Sequence, residues 1–238
     1  MPAVSNPSPD TGDATCERKE TAAPGISLTD FRPLDDCPLL LVREGFLNAD
    51  QAQGCYRQLL AEQPWPDNSY EVFGRRFTLP RRQTWHADEG IVYSYSNNLL
   101  QTLPWTPALL SLRQLVEAAT GAVFNAVLVN LYRNGEDSVG WHSDDETELG
   151  EEPVIASLSL GAARYFDYQE TAGAGAGEPK QGSVLLAAGS LLLMLPPFQQ
   201  RWQHSVPPCD EPEGRINLTF RYVYKRPHVT PSTGGSDN

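Results

Sequence analysis

The stretch GWHSDDE, residues 140–146, places His142 two positions before Asp144. In an extended chain successive side chains alternate between two faces, so these two would point the same way, as two ligands of one metal ion must. A lone H-x-D pair also recurs by chance, and the stretch could equally be an acidic surface loop that holds a histidine. The pattern therefore raises the hypothesis of a metal site, for which a third ligand must be found elsewhere in the chain.

The third ligand has few candidates, because the chain contains only four histidines. His228 falls in a polar C-terminal segment, whereas His204 follows the apolar run GSLLLML and precedes the strand-like run RINLTFRYVY. Two histidines and one carboxylate on one face of an iron ion leave positions open, as in non-haem Fe(II) oxygenases. We therefore predict that His142, Asp144 and His204 bind the metal, although a histidine satisfied within the core remains the alternative for His204.

The run RINLTFRYVY, residues 215–224, alternates polar and apolar residues as a β-strand does. Its polar face carries Arg215, Asn217, Thr219 and Arg221. Because the planar fork of arginine matches a carboxylate through two hydrogen bonds, the two arginines could grip two anionic groups or both ends of a diacid. Asn130 and Tyr132 share one face of another strand in the same way. The alternative is an ordinary half-exposed strand with a solvated polar face.

Two helices are predicted before these strands. One spans residues 48–63 and opens with a capping box formed by Asn48 and Gln51. The other starts at Thr106, has proline at its first position, stops at Gly121 and buries one apolar face. The residues predicted on that face are Leu109, Leu112, Leu115, Val116 and Ala119.

Strand-like runs follow from residue 122 to residue 224, and a flexible loop is expected at 171–182. Helices followed by many short strands favour a single α+β domain, mainly β, whose body is a sandwich or barrel. Residues 1–25 are rich in Pro, Ser, Thr and Ala and are expected to form a disordered arm, the domain to span 26–226, and 227–238 to form a flexible tail.

Composition limits the functional classes. The net charge of −12 argues against a protein that coats nucleic acid by bulk electrostatics, although it allows a local basic patch. The four cysteines show no CxxC spacing, which disfavours a zinc cluster. No apolar run is long enough to span a membrane, and the N-terminal segment lacks the features of a secretory signal. We therefore expect a cytoplasmic or nuclear protein without a membrane association.

Four segments together resemble the AlkB family of 2-oxoglutarate- and Fe(II)-dependent dioxygenases: NLYRNGEDSVGWHSDDE, ASLSLGAARYFDY, LLMLPPFQQRWQHSVP and RINLTFRYV. The resemblance covers roughly residues 40 to 225 and is closest to DNA-repair members with a hairpin finger. It implies a double-stranded β-helix, or jelly-roll, with N-terminal buttressing helices and a nucleotide-recognition lid. It also implies Fe(II), 2-oxoglutarate and O2 as cofactor and cosubstrates.

The same resemblance assigns roles in the site. Iron would be bound by His142, Asp144 and His204. Arg215, helped by Tyr132, would pair with the distal carboxylate of 2-oxoglutarate, and Arg221 would hold the carboxylate beside the metal. Three further side chains would line this pocket: Asn130, Asn217 and Thr219.

The substrate is predicted from residues 70–98. Arg81 and Arg82 belong to a local basic run suited to phosphates, or simply to a solvated basic edge. By resemblance, Tyr93 and Tyr95 would pack around an extruded base, and Phe73 would be an apolar wedge that fills the gap, with a core phenylalanine as the alternative. Downstream, Asp145 and Glu146 could bind the exocyclic amine of a methylated base, or belong to a solvated acidic run.

The resulting hypothesis is oxidative demethylation of N-alkylated bases, chiefly 1-methyladenine and 3-methylcytosine, with release of formaldehyde. DNA is the expected substrate, and the sequence leaves open whether RNA is one too. Such an enzyme is expected to act as a monomer on nucleic acid. A second hypothesis is the same oxygenase chemistry on a protein or small molecule, which the acidic composition keeps open. A third, a nucleic-acid-binding module with a structural metal, is disfavoured because such a metal would not need a grip for a cosubstrate.

Overall fold

The computed structural model describes residues 28–224, except 68, 73–74, 92–93, 96–97, 100 and 173–177. The predicted arm at 1–25 and tail at 227–238 therefore lie outside the described residues. Within the described ranges, no helix is long and apolar enough to cross a membrane.

The helices within these ranges are α1 (Ala49–Glu62), α2 (Pro107–Thr120) and the short α3 (Phe198–Arg201), with a 3₁₀ turn at Thr147–Leu149. Sixteen strands are assigned in the same ranges. In chain order they are β1 (Arg32–Pro33), β2 (Leu40–Arg43), β3 (Ser69–Val72), β4 (Arg75–Thr78), β5 (Arg82–Ala87), β6 (Ser94–Tyr95), β7 (Asn98–Leu99), β8 (Thr102–Leu103), β9 (Ala126–Tyr132), β10 (Val139–His142), β11 (Ile155–Gly161), β12 (Arg164–Glu170), β13 (Gln181–Leu186), β14 (Leu191–Met194), β15 (Trp202–Val206) and β16 (Arg215–Arg221).

Both predicted helices are confirmed, together with their capping residues. At α1 the Asn48 side chain accepts from the Gln51 amide at 3.0 Å, and the Gln51 side chain accepts from the Asn48 amide at 3.0 Å. At α2 the Thr106 hydroxyl accepts from the Leu109 amide, and Gly121 ends the helix in the left-handed region. Side-chain hydrogen bonds to otherwise unpaired amides place the two N-terminal ends, and the left-handed backbone of Gly121 places the C-terminal end of α2.

The predicted buried face of α2 was wrong at two positions. Leu115 is 48% exposed and Ala119 is half-buried, whereas Thr120 is fully buried. Because each residue turns the helix by about 100°, only a narrow stripe can face the sheet, and Leu115 falls beside it. The buried stripe consists of Leu109, Leu112, Val116 and Thr120.

Two sheets form the body of the domain. The larger has eight strands in the order β1-β2-β14-β11-β16-β9-β5-β8, and the smaller has four in the order β10-β15-β12-β13. Strand β16 lies inside the large sheet, antiparallel to both β11 and β9, and all seven of its residues are buried. The alternative of a half-exposed strand with a solvated polar face is therefore wrong.

Strand alternation divides the core into two layers. On β16, Ile216, Leu218 and Phe220 pack in one cluster with Leu59 of α1 and Leu112 of α2. The opposite faces of the large-sheet strands turn towards the small sheet, whose inner residues include Phe166, Tyr168 and Trp202. The order is thus helices, large sheet and small sheet, which confirms the predicted α+β class with mainly β content.

Candidate active site

Tertiary pairing brings the three predicted metal ligands together. His142 ends β10 and lies directly opposite His204 of β15, and Asp144 follows two residues after His142. One ligand atom from each of the three residues lies within 4.8 Å of the others. The distance from His142 Nε2 to Asp144 Oδ1 is 3.9 Å. Two imidazoles and one carboxylate thus converge on one point, with room for further ligands on the other side.

The Asp144 carboxylate is fixed through one oxygen and open through the other. Its Oδ2 accepts a hydrogen bond of 2.8 Å from Arg221 Nη2, in an ion pair with both side chains buried. Its buried Oδ1 has no hydrogen-bond partner among the described residues. Burial raises the pKa of Asp144, but Arg221, His204 and His142 together lower it by more, so that the resulting pKa is about 2. The carboxylate is therefore ionised and presents one oxygen for a cation.

Both histidines are held in forms that can bind a metal. His142 Nδ1 lies 2.9 Å from the Gly140 carbonyl oxygen, which can only accept, so Nδ1 carries a proton and the neutral form of the ring has its lone pair on Nε2. His204 stacks on Phe166 with ring centroids 5.1 Å apart. Burial, with a contribution from His142, lowers the pKa of His204 to about 3, which keeps this ring neutral. Neutral imidazole is the ligand form.

A cavity between the two sheets opens onto this triad. Its lining includes all six residues predicted to contact the cosubstrate, and these are Asn130, Tyr132, Arg215, Asn217, Thr219 and Arg221. Their side chains come from two neighbouring strands in register, since Tyr132 pairs with Arg215 and Asn130 pairs with Asn217. Because alternate residues share one face, the two patterns seen in sequence form one polar wall.

This wall is ordered by a ladder of side-chain hydrogen bonds. Thr219 Oγ1 donates to Asn217 Oδ1 at 2.9 Å, and Asn217 Nδ2 donates to Ser157 Oγ at 2.7 Å. Arg215 Nη2 donates to Ser159 Oγ at 2.9 Å. Both serines belong to the neighbouring strand β11; Ser157 lines the cavity itself, and Ser159 supports Arg215 from behind the wall.

Arg215 retains hydrogen-bonding capacity for an anion. It is fully buried, and its Nε and Nη1 have no hydrogen-bond partner among the described residues. The Tyr132 ring lies 5.2 Å from its guanidinium carbon. Burial lowers the pKa of Arg215, and Tyr132 opposes that effect. A buried guanidinium with two free donors in a cavity fits a carboxylate, since unpaired buried donors are otherwise costly.

The basic run predicted to contact phosphates is divided by the sheet. Arg81 is only 5% exposed, lines the cavity and donates to Asn130 Oδ1 at 3.0 Å. Arg82 points to the other side, where it pairs with Asp67 at 3.0 Å and keeps 36% of its side chain exposed. The interpretation of Arg81 as part of an exposed basic run was wrong, because neighbouring residues of an extended segment project to opposite faces.

The remaining predicted substrate residues are the two acidic residues that follow Asp144 and three aromatic residues. Asp145 is exposed and Glu146 is half-buried, and neither lines the cavity. Phe73 and Tyr93 lie outside the described residues. Tyr95 belongs to β6, but its side chain lies outside the described part of the structure. Their proposed contacts with a base therefore stay predictions.

Several residues that support the site were missed from sequence. Ser157 and Ser159 were visible as alternate serines in ASLSLG, and the same alternation that identified β16 could have found them. Gln199, which accepts a hydrogen bond from the Asp144 amide, had no such signal. Arg164 donates to four backbone carbonyls around the loop before the metal ligands, and only the folded chain shows those contacts.

Comparisons with known proteins agree with this geometry. A family model described as the 2OG-Fe(II) oxygenase superfamily matches residues 40–221. Human alpha-ketoglutarate-dependent dioxygenase alkB homolog 3 is 37% identical over 198 residues, covering 79% of this chain and 67% of that protein. The chain belongs to the AlkB family of 2OG-Fe(II) oxygenases. The family implies Fe(II), 2-oxoglutarate and O2. The triad suits Fe(II), and the polar wall with Arg215 suits 2-oxoglutarate.

Two further AlkB proteins extend the comparison. Human DNA oxidative demethylase ALKBH2 is 40% identical over 157 residues, which is 64% of this chain and 60% of that protein. The chain thus spans 60–67% of the length of these curated relatives. The solved structure of OsALKBH1 superposes with a TM-score of 0.56 at 20% identity, over 81% of this chain and 99% of that chain. Together with the two facing sheets, this match confirms the predicted AlkB jelly-roll fold.

Proposed function

We propose that the protein is an oxidative demethylase of N-alkylated nucleobases that uses Fe(II) and 2-oxoglutarate. The observation that carries this proposal is the convergence of His142, Asp144 and His204 on a cavity whose wall holds the partly unpaired guanidinium of Arg215. A structural metal site would have no need for that guanidinium. The arrangement therefore supports catalysis with an anionic cosubstrate.

The residues divide the work as follows. His142, Asp144 and His204 would hold Fe(II), and Arg215 with Tyr132 would hold the distal carboxylate of 2-oxoglutarate. Fe(II) with 2-oxoglutarate supplies, when bound, the oxidation of a C–H bond by O2. Arg221 keeps the Asp144 carboxylate ionised and oriented, at 2.8 Å. Arg221 would also contact the carboxylate of 2-oxoglutarate that lies nearer the metal. Asn130, Asn217 and Thr219 would line the cavity.

The substrate class rests on the relatives and on the predicted lid. ALKBH2 is named a DNA oxidative demethylase, and we extend that activity to 1-methyladenine and 3-methylcytosine in DNA, with RNA as a secondary substrate. Oxidation of an N-methyl group gives a hemiaminal that loses formaldehyde. Phe73, Tyr93 and Tyr95 would handle the extruded base, Arg82 is the partly exposed arginine for a phosphate, and Arg81 would act inside the cavity.

Asp145 and Glu146 complete the proposed substrate contacts. They follow the metal ligand Asp144 directly in the chain. The exposed Asp145 is free to turn towards the exocyclic amine of a bound base. We further propose that the enzyme acts as a monomer in the cytoplasm or nucleus, and that the catalytic domain spans 26–226.

The test is formaldehyde release from a 1-methyladenine oligonucleotide, single- or double-stranded, with Fe(II), 2-oxoglutarate and O2. We expect release that is abolished in His142→Ala and retained in Arg32→Met, a substitution in an exposed ion pair outside the cavity lining. In Phe73→Ala, activity on the duplex should fall more than activity on the single strand. Equal loss on both would count against the wedge.

One result would redirect the proposal to its alternative. Succinate formed without formaldehyde or reversion of the base would show an oxygenase whose substrate is a protein or small molecule. The acidic composition, with a net charge of −12, is the observation that favours this second candidate. Absence of succinate with every substrate would refute both.

A further inference from the structure

The backbone of Asp144 is held by a buried glutamine that has no part in the predicted site. The Asp144 amide donates to Gln199 Oε1 at 2.9 Å, and Gln199 is only 4% exposed. On its other side the Gln199 amide nitrogen lies 3.4 Å from Met194 Sδ, to which it donates. Since the Asp144 amide can only donate and the thioether sulfur can only accept, the two contacts fix which way the glutamine amide faces.

A second hydrogen bond ties the same segment to the same turn. Ser143 Oγ donates to the Trp202 carbonyl oxygen at 2.9 Å. Gln199 belongs to α3, and Trp202 begins β15, the strand that carries His204. These two hydrogen bonds, from Ser143 and Asp144 to Trp202 and Gln199, form what we call the clamp. The clamp thus joins the segment of His142 and Asp144 directly to the segment that leads into the third ligand, His204, although the two are more than fifty residues apart in the chain.

The clamp complements the ion pair of Asp144. Arg221 restrains Oδ2 of the carboxylate, whereas the clamp restrains the backbone from which the side chain starts. With both ends held, Oδ1 stays directed at the space shared with His142 Nε2, 3.9 Å away. If the backbone tie were lost, the ion pair alone would leave the carboxylate free to pivot about Arg221.

We propose that Gln199 is a positioning residue for the metal site, acting through the Asp144 amide, and that the clamp sets the affinity and geometry of the bound ion. This inference rests on the proposed function only in assuming that the triad binds a divalent metal. Outer partners that orient metal ligands typically contribute about 10–100-fold to affinity. Without the glutamine, the buried backbone amide of Asp144 would lack a hydrogen-bond partner. The Asp144 segment would then shift to satisfy that amide, and the carboxylate would lose its position at the metal.

The experiment compares Gln199→Met with Gln203→Met. Methionine keeps the length of the side chain but removes the amide oxygen. Gln203 is the matched control, because it lies on β15 next to His204 yet hydrogen-bonds to Gln169, at 3.2 Å, and not to a metal ligand. The probe is Co²⁺ alone under anaerobic conditions, titrated into the metal-free full chain, with thermal unfolding recorded for every variant.

We expect Gln199→Met to bind Co²⁺ about 10–100-fold more weakly than the unsubstituted chain, with an altered d–d spectrum. Gln203→Met should keep both the affinity and the spectrum. If Gln199→Met loses thermal stability while its Co²⁺ affinity and spectrum match the control, the glutamine is merely structural and the inference is overturned.

A second variant covers the case in which Gln199→Met does not fold. Ser143→Ala removes the other half of the clamp at a half-buried position. It should weaken Co²⁺ binding several-fold and shift the spectrum in the same sense, and unchanged binding would overturn the inference. Co²⁺ binding requires no nucleic acid and no turnover, so these results are independent of the proposed substrate. If the unsubstituted chain bound no Co²⁺, the proposed metal site itself would fail.

Discussion

Arg164 offers the sharpest test of how the site is supported. This arginine is 1% exposed and starts β12. Its Nη2 donates to the carbonyl oxygens of Asp137, at 2.8 Å, and Pro207, at 2.7 Å. Weaker contacts reach the carbonyls of Asn134 and Gly135 at 3.1 and 3.4 Å. One guanidinium thus fastens the loop that leads from β9 to β10, and with it the approach to the metal ligands.

The substitution Arg164→Met keeps the aliphatic stem and removes these donors. Each of the two short bonds from a charged donor is worth roughly 1.5–3 kcal/mol, which gives roughly 3–6 kcal/mol for the pair. Relief from burying a charge offsets part of this loss, so we expect a net destabilisation of about 3 kcal/mol. The matched control is Arg32→Met in an ion pair whose side chains are 59% and 73% exposed, and there we expect about 0.5 kcal/mol or less.

Urea unfolding followed by tryptophan fluorescence measures both values. Hydrogen exchange separates a local effect from a global one, because the Cys209 amide donates to the Gly135 carbonyl across this loop at 2.9 Å. In Arg164→Met that amide should exchange faster than amides of β16. A loss of stability no larger than in Arg32→Met, with unchanged exchange at Cys209, would refute the role of Arg164.

Four other measurements probe the contact of Arg215 with the cosubstrate, the two cysteines Cys37 and Cys209, and the buried face of α2. Arg215→Met should raise the KM for 2-oxoglutarate, measured by succinate release, by about 100-fold. This factor corresponds to the loss of about 3 kcal/mol from a buried charged contact. An unchanged KM would show that Arg215 does not bind the cosubstrate. At pH 8 a thiol reagent should label the exposed Cys209 but not Cys37, because burial raises the pKa of Cys37 to about 11. Since that pKa lies above the ordinary value of 9.0, the stability linked to Cys37 is complete below pH 9.0 and lost as the pH rises towards about 11. Urea unfolding across this range should therefore show a smaller loss of stability in Cys37→Ala than in the unsubstituted chain, and equal losses would contradict the burial of the thiol. In urea unfolding, Leu112→Ala should lower the free energy of unfolding by about 2–5 kcal/mol, and Leu115→Ala by about 0.5 kcal/mol or less. Similar losses in the two variants would contradict the assignment of Leu112 to the buried face of α2 and of Leu115 to its exposed side.

The H-x-D pair and the helix ends could be predicted because they depend on neighbouring residues. H-x-D puts His142 and Asp144 on one side of an extended chain whatever surrounds it. Asn48 caps α1 through contacts three residues away. The alternation of β16 likewise requires Arg215 and Arg221 to share a face before any partner strand is known.

What covers each face was decided by tertiary structure. β16 could have been half-exposed, but its place between β9 and β11, with helices on one side and the small sheet on the other, buries both faces. The same register places His142 opposite His204 and turns Arg81 into the cavity and Arg82 away from it. Leu115 follows the apolar spacing of α2, yet it remains 48% exposed in the folded chain.

The contacts of Gln199 and Arg164 belong wholly to the folded chain. Gln199 meets Asp144, and Arg164 meets the carbonyls of Asp137 and Pro207, across separations that no local pattern encodes. A backbone amide or carbonyl looks the same at every position, so sequence cannot show which side chain will satisfy it. The sequence by itself thus determined the reacting groups and the face on which they lie, while the long-range pairing of strands determined how those groups are held.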